Sequence, residues 1–261
     1  MLSALAVIVN NRHLLRATVA QGLKARTTAN VLGAVWLILY PLLFLTLYTL
    51  VFVHILQVRL PEMSTSAYVL TIFCGLVPFL AFSEAFGLGT VSLISNRGLL
   101  RNTMFPVELV VAKEVLVAHA SMAVGLVIVW LACLYAGHLY WSHLAFPVVF
   151  FLQVVMTLGL VWMTAALTVF FRDLQQATPI IVLILMLISP IAYTEEMVPQ
   201  GLKSLLDFNP LAQFMSLYRS VLMEGRLPLE RLAIVFAMSL TSYFAGYAFI
   251  TRLKPLFVDH V

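Results

Sequence analysis

RTTANVLGAVWLILYPLLFLTLYTLVFVH, residues Arg26–His54, decides how the rest of the chain is read. Its aromatics Trp36, Tyr40, Phe44, Tyr48 and Phe52 recur every four residues. A helix turns about 100° per residue, so each step of four advances a ring by about 40°, and the five form a seam winding slowly round one helix. No charge interrupts the 32 residues between Arg26 and Arg59. At about 1.5 Å per residue that run exceeds the roughly 30 Å hydrocarbon core of a bilayer. The seam has two readings. Rings at helical spacing fill packing interfaces, and rings also wall passages, where their flat faces lie against sugar rings while Tyr hydroxyls and the Trp N–H supply hydrogen bonds. What the chain builds beside this helix decides between them.

The whole chain agrees with a membrane setting. Its 261 residues are 62% hydrophobic and 10% charged, with mean hydropathy +1.03, against about 45–50% and about 25% in soluble domains. Long uninterrupted apolar runs select helices over barrels, because each helix satisfies its own backbone. Cys74 and Cys133 both lie inside such runs, so neither a disulfide framework nor a zinc site is implied. The net charge of +4 does not point to nucleic acid, since the basic residues mostly flank apolar runs. The opening MLSALAVIV has no basic region before it, so no cleaved signal peptide is expected. Leu5, Ile8, Leu15, Val19 and Leu23 share one helical stripe, into which Arg12 intrudes. An amphipathic helix on the membrane surface is predicted there.

The fold class expected is an all-α integral membrane protein with six transmembrane helices. One transmembrane domain covers 1–261: an interfacial helix over 1–29, then spans over 30–56, 68–92, 110–136, 145–170, 176–194 and 232–252. The pair 110–136 and 145–170 comes from 57 uncharged residues between Glu114 and Arg172, broken by the polar turn Gly137–His143. Between spans five and six, 195–230 reads as a periplasmic region with re-entrant helices, because Phe208–Tyr218 is apolar but too short to cross. Six spans put both termini on one side. With the termini cytoplasmic, Arg12, Arg16, Lys24, Arg26, Arg97, Arg101, Lys113, Arg172, Arg252 and Lys254 lie inside. Only Arg59, Lys203, Arg219, Arg226 and Arg231 lie outside.

Several features carry chemistry. The inner loop Ser95–Glu108, SNRGLLRNTMFPVE, is basic, and Pro106 stands where a helix restarts. It reads either as a plain positive-inside loop or as a short helix offered to a cytoplasmic partner. Phe170–Pro179 is an interfacial turn or a second contact. Glu84 is an ionisable residue within a span, so it faces a partner, water or the inner interface. Phe79, Phe82 and Phe86 are near it on the helix. Glu108, Lys113 and Glu114 read as interfacial charges, and His119 as a hydrogen-bonded core residue. GxxxxGK[ST], HExxH and GxSxG are absent, so the chain has no phosphate-binding loop of its own and lacks the easiest protease and hydrolase signatures.

Thr28–Leu43, CGLVPFLAF (Cys74–Phe82), Ser95–Glu108, FFRDLQQ (Phe170–Gln176), SPIAYTEEMVP (Ser189–Pro199) and FNP (Phe208–Pro210), in that order, resemble permease subunits of bacterial ABC exporters of O-antigen, capsule or teichoic-acid polymers. The resemblance covers nearly the whole chain. It implies a homodimer of permeases in the bacterial inner membrane, with two ATP-binding cassette subunits that carry ATP and Mg, this chain holding no cofactor. It further implies a polysaccharide or lipid-linked glycan as substrate, and it leaves a periplasmic adaptor open. Trp36, Tyr40 and Phe44 match the channel-lining positions of span one, with Tyr193 near the outer end of span five. Tyr48, Phe79, Phe82 and Glu84 complete the candidate glycan contacts. Asn96, Arg97, Leu100, Arg101 and Phe105 match the ATPase-coupling loop. Tyr40 stands before Pro41 where many members carry an acid, so no gate role for that acid transfers. A permease for drugs or small lipids, or an integral-membrane enzyme acting on lipid-linked sugars, are the alternatives.

Overall fold

The computed structural model describes residues 2–28, 31–58, 63–98 and 105–257, and no strand occurs among them. Helices α1 (Leu2–Asn10) and α2 (Arg12–Thr28) are followed by α3 (Trp36–Thr49), α4 (Thr65–Ser95), α5 (Val107–Tyr135), α6 (Phe146–Phe170) and α7 (Leu174–Ile188). The short helices α8 (Lys203–Phe208) and α9 (Pro210–Leu222) precede α10 (Leu229–Leu253). Five stretches are long and apolar enough to cross a bilayer: Gly33–Ile55, Thr65–Ser95, Val107–Tyr135, Trp141–Phe170 and Leu229–Leu256. The segment expected at 176–194 behaves differently. Helix α7 stops at Ile188 after 15 residues, about 22 Å at the α-helical rise. The cause is local: Pro190 disfavours the helical region for the residue before it, and Ser189 is extended at φ −81° and ψ 140°. Ser189–Thr194 is therefore irregular backbone rather than the last turns of a span.

Helix α4 is the axis of the bundle. Ser64 caps it by accepting from the Ala67 N–H at 3.2 Å, and its 31 residues pack against α3, α5, α6, α7 and α9. Pro78 interrupts the helix's own hydrogen-bond ladder. Gln153 of α6 donates to the Pro78 carbonyl at 2.7 Å, and the Tyr218 hydroxyl of α9 donates to the Gln153 amide oxygen at 2.9 Å. All three groups are buried, so one polar relay ties α4, α6 and α9 together inside the apolar core.

Helices α6 and α10 approach until their backbones touch. A Cβ placed at Gly159 would lie 2.2 Å from the Ser242 carbonyl carbon, and one at Gly246 would lie 2.1 Å from the Gly159 oxygen. Between helices in lipid, association comes from such close packing of small residues rather than from water-driven burial. Ser242 adds a hydrogen bond to the Met156 carbonyl at 2.8 Å, and Trp162 packs on Tyr243 and Tyr247 at centroid distances of 5.2 and 5.7 Å.

At the N-terminus the predicted stripe docks on protein. Leu15 is buried, Val7, Ile8 and Val19 pack against the core, and α2 lies along α5, while Arg12 faces outward. Gly33 makes the turn from α2 into α3 at φ +50°, a conformation that favours glycine. Only 6% of the first membrane-length stretch is buried, and α7 exposes Ile180, Leu183, Ile184 and Leu187. Thus α3 and α7 form a weakly covered flank beside a tightly packed α4–α5–α6–α10 body. Substituting Gly159 by Val forces two backbones apart and should cost about 1–3 kcal/mol of stability. Thermal unfolding of the purified chain checks this against Gly201→Ala, which meets nothing within 4 Å and should be silent.

Candidate functional site

A cavity of about 620 Å³ opens between α2, α3, α4, α5 and α7. Trp36 and Tyr40 of α3 line it, each 39% exposed, opposite Glu84 and Ser83 of α4, with Ser121 of α5 and Thr178 and Pro179 of α7 completing the wall. Arg26, near the end of α2, forms a salt bridge with Glu84 and donates from Nη1 to the Ser121 hydroxyl at 3.1 Å. A carboxylate at this depth is tolerated because a guanidinium from the preceding helix pairs with it. The second carboxylate oxygen, Oε2, is buried and accepts no hydrogen bond among the described residues. Two aromatic faces, hydroxyls and an unsatisfied carboxylate oxygen in one mostly apolar hollow suit a ligand with both C–H faces and hydroxyl donors.

The aromatic seam divides between its two readings. Tyr40 and Phe44 pack at 5.0 Å, and Tyr48 and Phe52 stack at 5.7 Å with planes 15° apart, as the spacing of four requires. Only Trp36 and Tyr40 reach the cavity; Phe44, Tyr48 and Phe52 pack against the core. The expectation for Phe79 and Phe82 needs correction. They are 1% and 2% exposed, inside the core, because α4 is covered on nearly every side and its rings have no free face. Phe82 instead stacks on Phe86 at 5.4 Å. Of the wall residues, Ser121 was not anticipated, and Thr178 and Pro179 stood out only as the end of the turn Phe170–Pro179. Small polar residues inside apolar runs carry no signal until the helices are placed.

At the other end of the bundle the irregular segment after α7 converges on one side chain. Arg219 of α9 donates to the carbonyls of Thr71 at 3.2 Å, Tyr193 at 3.1 Å and Ile191 at 2.7 Å. Tyr68 donates to the Ala192 carbonyl at 2.6 Å, and Asn209 donates to the Ser189 hydroxyl at 3.0 Å while capping α9. Arg219, expected to be an outer loop charge, is therefore 7% exposed and structural. Tyr193 is half-buried, and its hydroxyl donates back to the Ile188 carbonyl at 2.5 Å. Beyond it, Glu195 receives two hydrogen bonds from Arg231, both 2.9 Å, and one from Ser216. Burial pushes the Glu195 carboxyl up, but these bonds and the charges of Arg231 and Arg219 outweigh it and hold the group below the usual carboxylate range. A second cavity, about 610 Å³ and largely polar, lies against this ion pair.

At the end of the bundle bearing the loop 95–108, Asn96 donates to the Ser92 carbonyl at 2.8 Å and closes α4. Arg97 is half-buried, Phe105 packs against the core, and Pro106 is the residue just ahead of α5. Leu100 and Arg101 lie outside the described residues. Glu108 is buried rather than solvated: Lys254 donates to both its oxygens at 2.9 and 3.2 Å, fastening the end of α10 to the start of α5. Lys113 and Glu114 pair at 3.0 Å, and His119 is buried with Nδ1 2.9 Å from the Val115 carbonyl. Among the described residues no group of three or more His, Cys, Asp or Glu side chains could hold a metal ion.

Membrane-length helices around a charge-bearing internal cavity, with a weakly covered first span, define a multi-pass helical membrane protein of transport type. Residues 13–223 match the ABC-2 type transporter family, and the chain belongs to it. It is 27% identical over 258 residues to an O-antigen export system permease protein RfbA of Klebsiella pneumoniae, covering 98% of this chain and 94% of that one. Another RfbA, from Myxococcus xanthus, is 28% identical over 254 residues, with 96% of each chain covered. The polysialic acid transport protein KpsM of Escherichia coli is 28% identical over 208 residues, covering 74% of this chain and 75% of its own.

Two outcomes follow from the ion pairs. Arg26→Met leaves the Glu84 carboxylate, 26% exposed, without its cation, and should cost about 1–3 kcal/mol. Removing both charges in Arg26→Met/Glu84→Met should recover most of the loss in thermal unfolding. Glu195 has a folded pKa depressed from its ordinary 4.5, so its clamp contributes fully above that value and is lost as pH falls through the lower folded one. Acid unfolding of the wild type should therefore steepen below about pH 4.3, and Glu195→Gln should remove that component of the profile.

Proposed function

We propose that this chain is the channel-forming permease subunit of an ATP-driven exporter moving a lipid-linked cell-surface polysaccharide, of O-antigen or capsule type, across the bacterial inner membrane. The observation that carries the reading is the convergence of Trp36 and Tyr40 with Glu84, distant from them in the chain, on one cavity between α2, α3, α4, α5 and α7. The aromatic faces support sugar stacking, and the free Glu84 oxygen supports a hydroxyl donor from the glycan. The distribution of basic residues supports a topology with both termini and the loop 95–108 in the cytoplasm. Membership of the ABC-2 type family implies an ATP-binding partner, which supplies the hydrolysis for which this sequence has no phosphate-binding loop. Asn96, Arg97, Leu100, Arg101 and Phe105 are its proposed contact. The uncovered flanks of α3 and α7 are where a second copy would complete the passage. In this assembly the cavity faces the cytoplasmic half of the membrane and the Arg219 region the periplasmic half.

Trp36→Ala and Tyr40→Ala should keep membrane yield and thermal stability while lowering surface polysaccharide about two- to tenfold, since one ring contact contributes about 0.5–1.5 kcal/mol. Tyr40→Phe should retain most export. Phe44→Ala, which loses core packing, should instead lower yield. Export that falls only in proportion to folded protein for all four variants would make the whole seam packing and remove the channel reading.

A further inference from the structure

The polar cavity beyond Glu195 has a composition that the export reading alone does not require. It lies between α8, the two ends of α9 and the start of α10, and its described lining contains four carboxylates, Glu195, Asp207, Glu224 and Glu230, against two guanidinium groups, Arg226 and Arg231. Glu195 is neutralised by Arg231 at 2.9 Å, so the excess of two negative charges belongs to the remaining groups. A further acceptor is neutral. Gln213 is 7% exposed and lines the cavity, its amide nitrogen donates to the carbonyls of Leu206 and Asp207 at 3.4 Å, and its amide oxygen has no partner among the described residues. The hollow therefore carries more carboxylate acceptors than cationic groups, and a fitting occupant brings donors without negative charge. No aromatic residue lines it among the described residues, so none of these supplies the stacking that the inner cavity has. Hydrogen bonds without a stacking platform give the weak, shared contacts that let a polymer leave.

We infer that this cavity is an outer saccharide-binding site that admits an uncharged, hydroxyl-bearing glycan and disfavours a polyanionic one. The inference rests on the export reading for the direction of passage. It adds a charge class to the substrate. An incoming carboxylate meets net negative charge in a hollow only partly screened by solvent, whereas a neutral sugar meets acceptors for its hydroxyls.

The test uses the full chain in lipid nanodiscs and hydrogen exchange of residues 220–231. The probes are a neutral maltooligosaccharide and a sialic acid oligomer of equal length. At about 0.02 M salt, where the Debye length is long, the neutral probe should protect this segment, and the sialic acid oligomer should need about tenfold higher concentration. At about 0.5 M salt the gap should close. Glu224→Gln/Glu230→Gln, which brings the lining to neutrality, should close it at low salt too. If that variant fails to assemble, Glu224→Gln alone should narrow the gap in the same direction. Equal or tighter protection by the sialic acid oligomer in the wild type overturns the inference, as does a gap that the variants leave unchanged. Protection by neither probe also overturns it, and the export reading is then judged separately by Trp36→Ala and Tyr40→Ala.

Discussion

An α-helix in lipid satisfies its own backbone, and the chain between α7 and α9 cannot. Everything at that end of the molecule answers this constraint. The carbonyls of Ile191, Ala192 and Tyr193 accept hydrogen bonds from Arg219, Tyr68 and Arg219 again. For Arg219 to reach them, α9 must be buried, and it is, from Leu211 to Leu222. Space for the guanidinium exists beside Gly75, where a Cβ would stand 3.2 Å from Nη2. A charge in such a place is normally a burden. Here it is spread over three carbonyl dipoles, two of them in irregular backbone and otherwise orphaned, so the cation and the irregular backbone solve each other's problem. Short helix α7, buried α9 and the polar outer cavity are all consequences of the chain stopping at Ser189–Pro190.

The other end is organised by a different economy. Arg26 and Glu84 place an ion pair beside aromatic side chains, joining the N-terminal helix to the central one and, through Ser121, to α5. The wall that carries Trp36 and Tyr40 is itself almost uncovered by the rest of the described chain. A helix so little buried gains few contacts from its own chain. Its position depends on Pro41 packing against Gly125, where a Cβ would meet the proline at 3.4 Å, and on the Phe44–Phe52 half of the seam. The packing half of the seam holds the exposed half in place.

The all-helical class was legible because apolar runs and the four-residue aromatic period are local signals. The seam's division was not, since Trp36 and Phe44 differ only in what lies opposite, and that is set by α4, α5 and α7 folding together. Phe79 and Phe82 misled for the same reason: sequence proximity to Glu84 says nothing about which face of a fully surrounded helix they occupy. Glu84 stood out as an ionisable residue in a span, but its partner lies 58 positions earlier in the chain. Arg219 read as a loop charge because it follows an apolar run, Phe208–Tyr218, too short to cross. Only the geometry of α9 shows it turned inward. The early end of α7 was written in Ser189-Pro190, a local stop signal outweighed by the long uncharged run around it.

The glycine contact between α6 and α10 has a mechanical meaning. Two rods that merely lie side by side bend independently, whereas two rods joined along their length bend as one thicker beam. With backbone against backbone at Gly159 and Gly246, neither helix has side-chain slack in which to slide or roll. The pair is a laminate, stiffened by the removal of atoms rather than their addition. Set beside the loosely held α3 and α7, it gives the bundle a rigid keel and a compliant flank, so a load applied at either end is borne by the one and yielded to by the other.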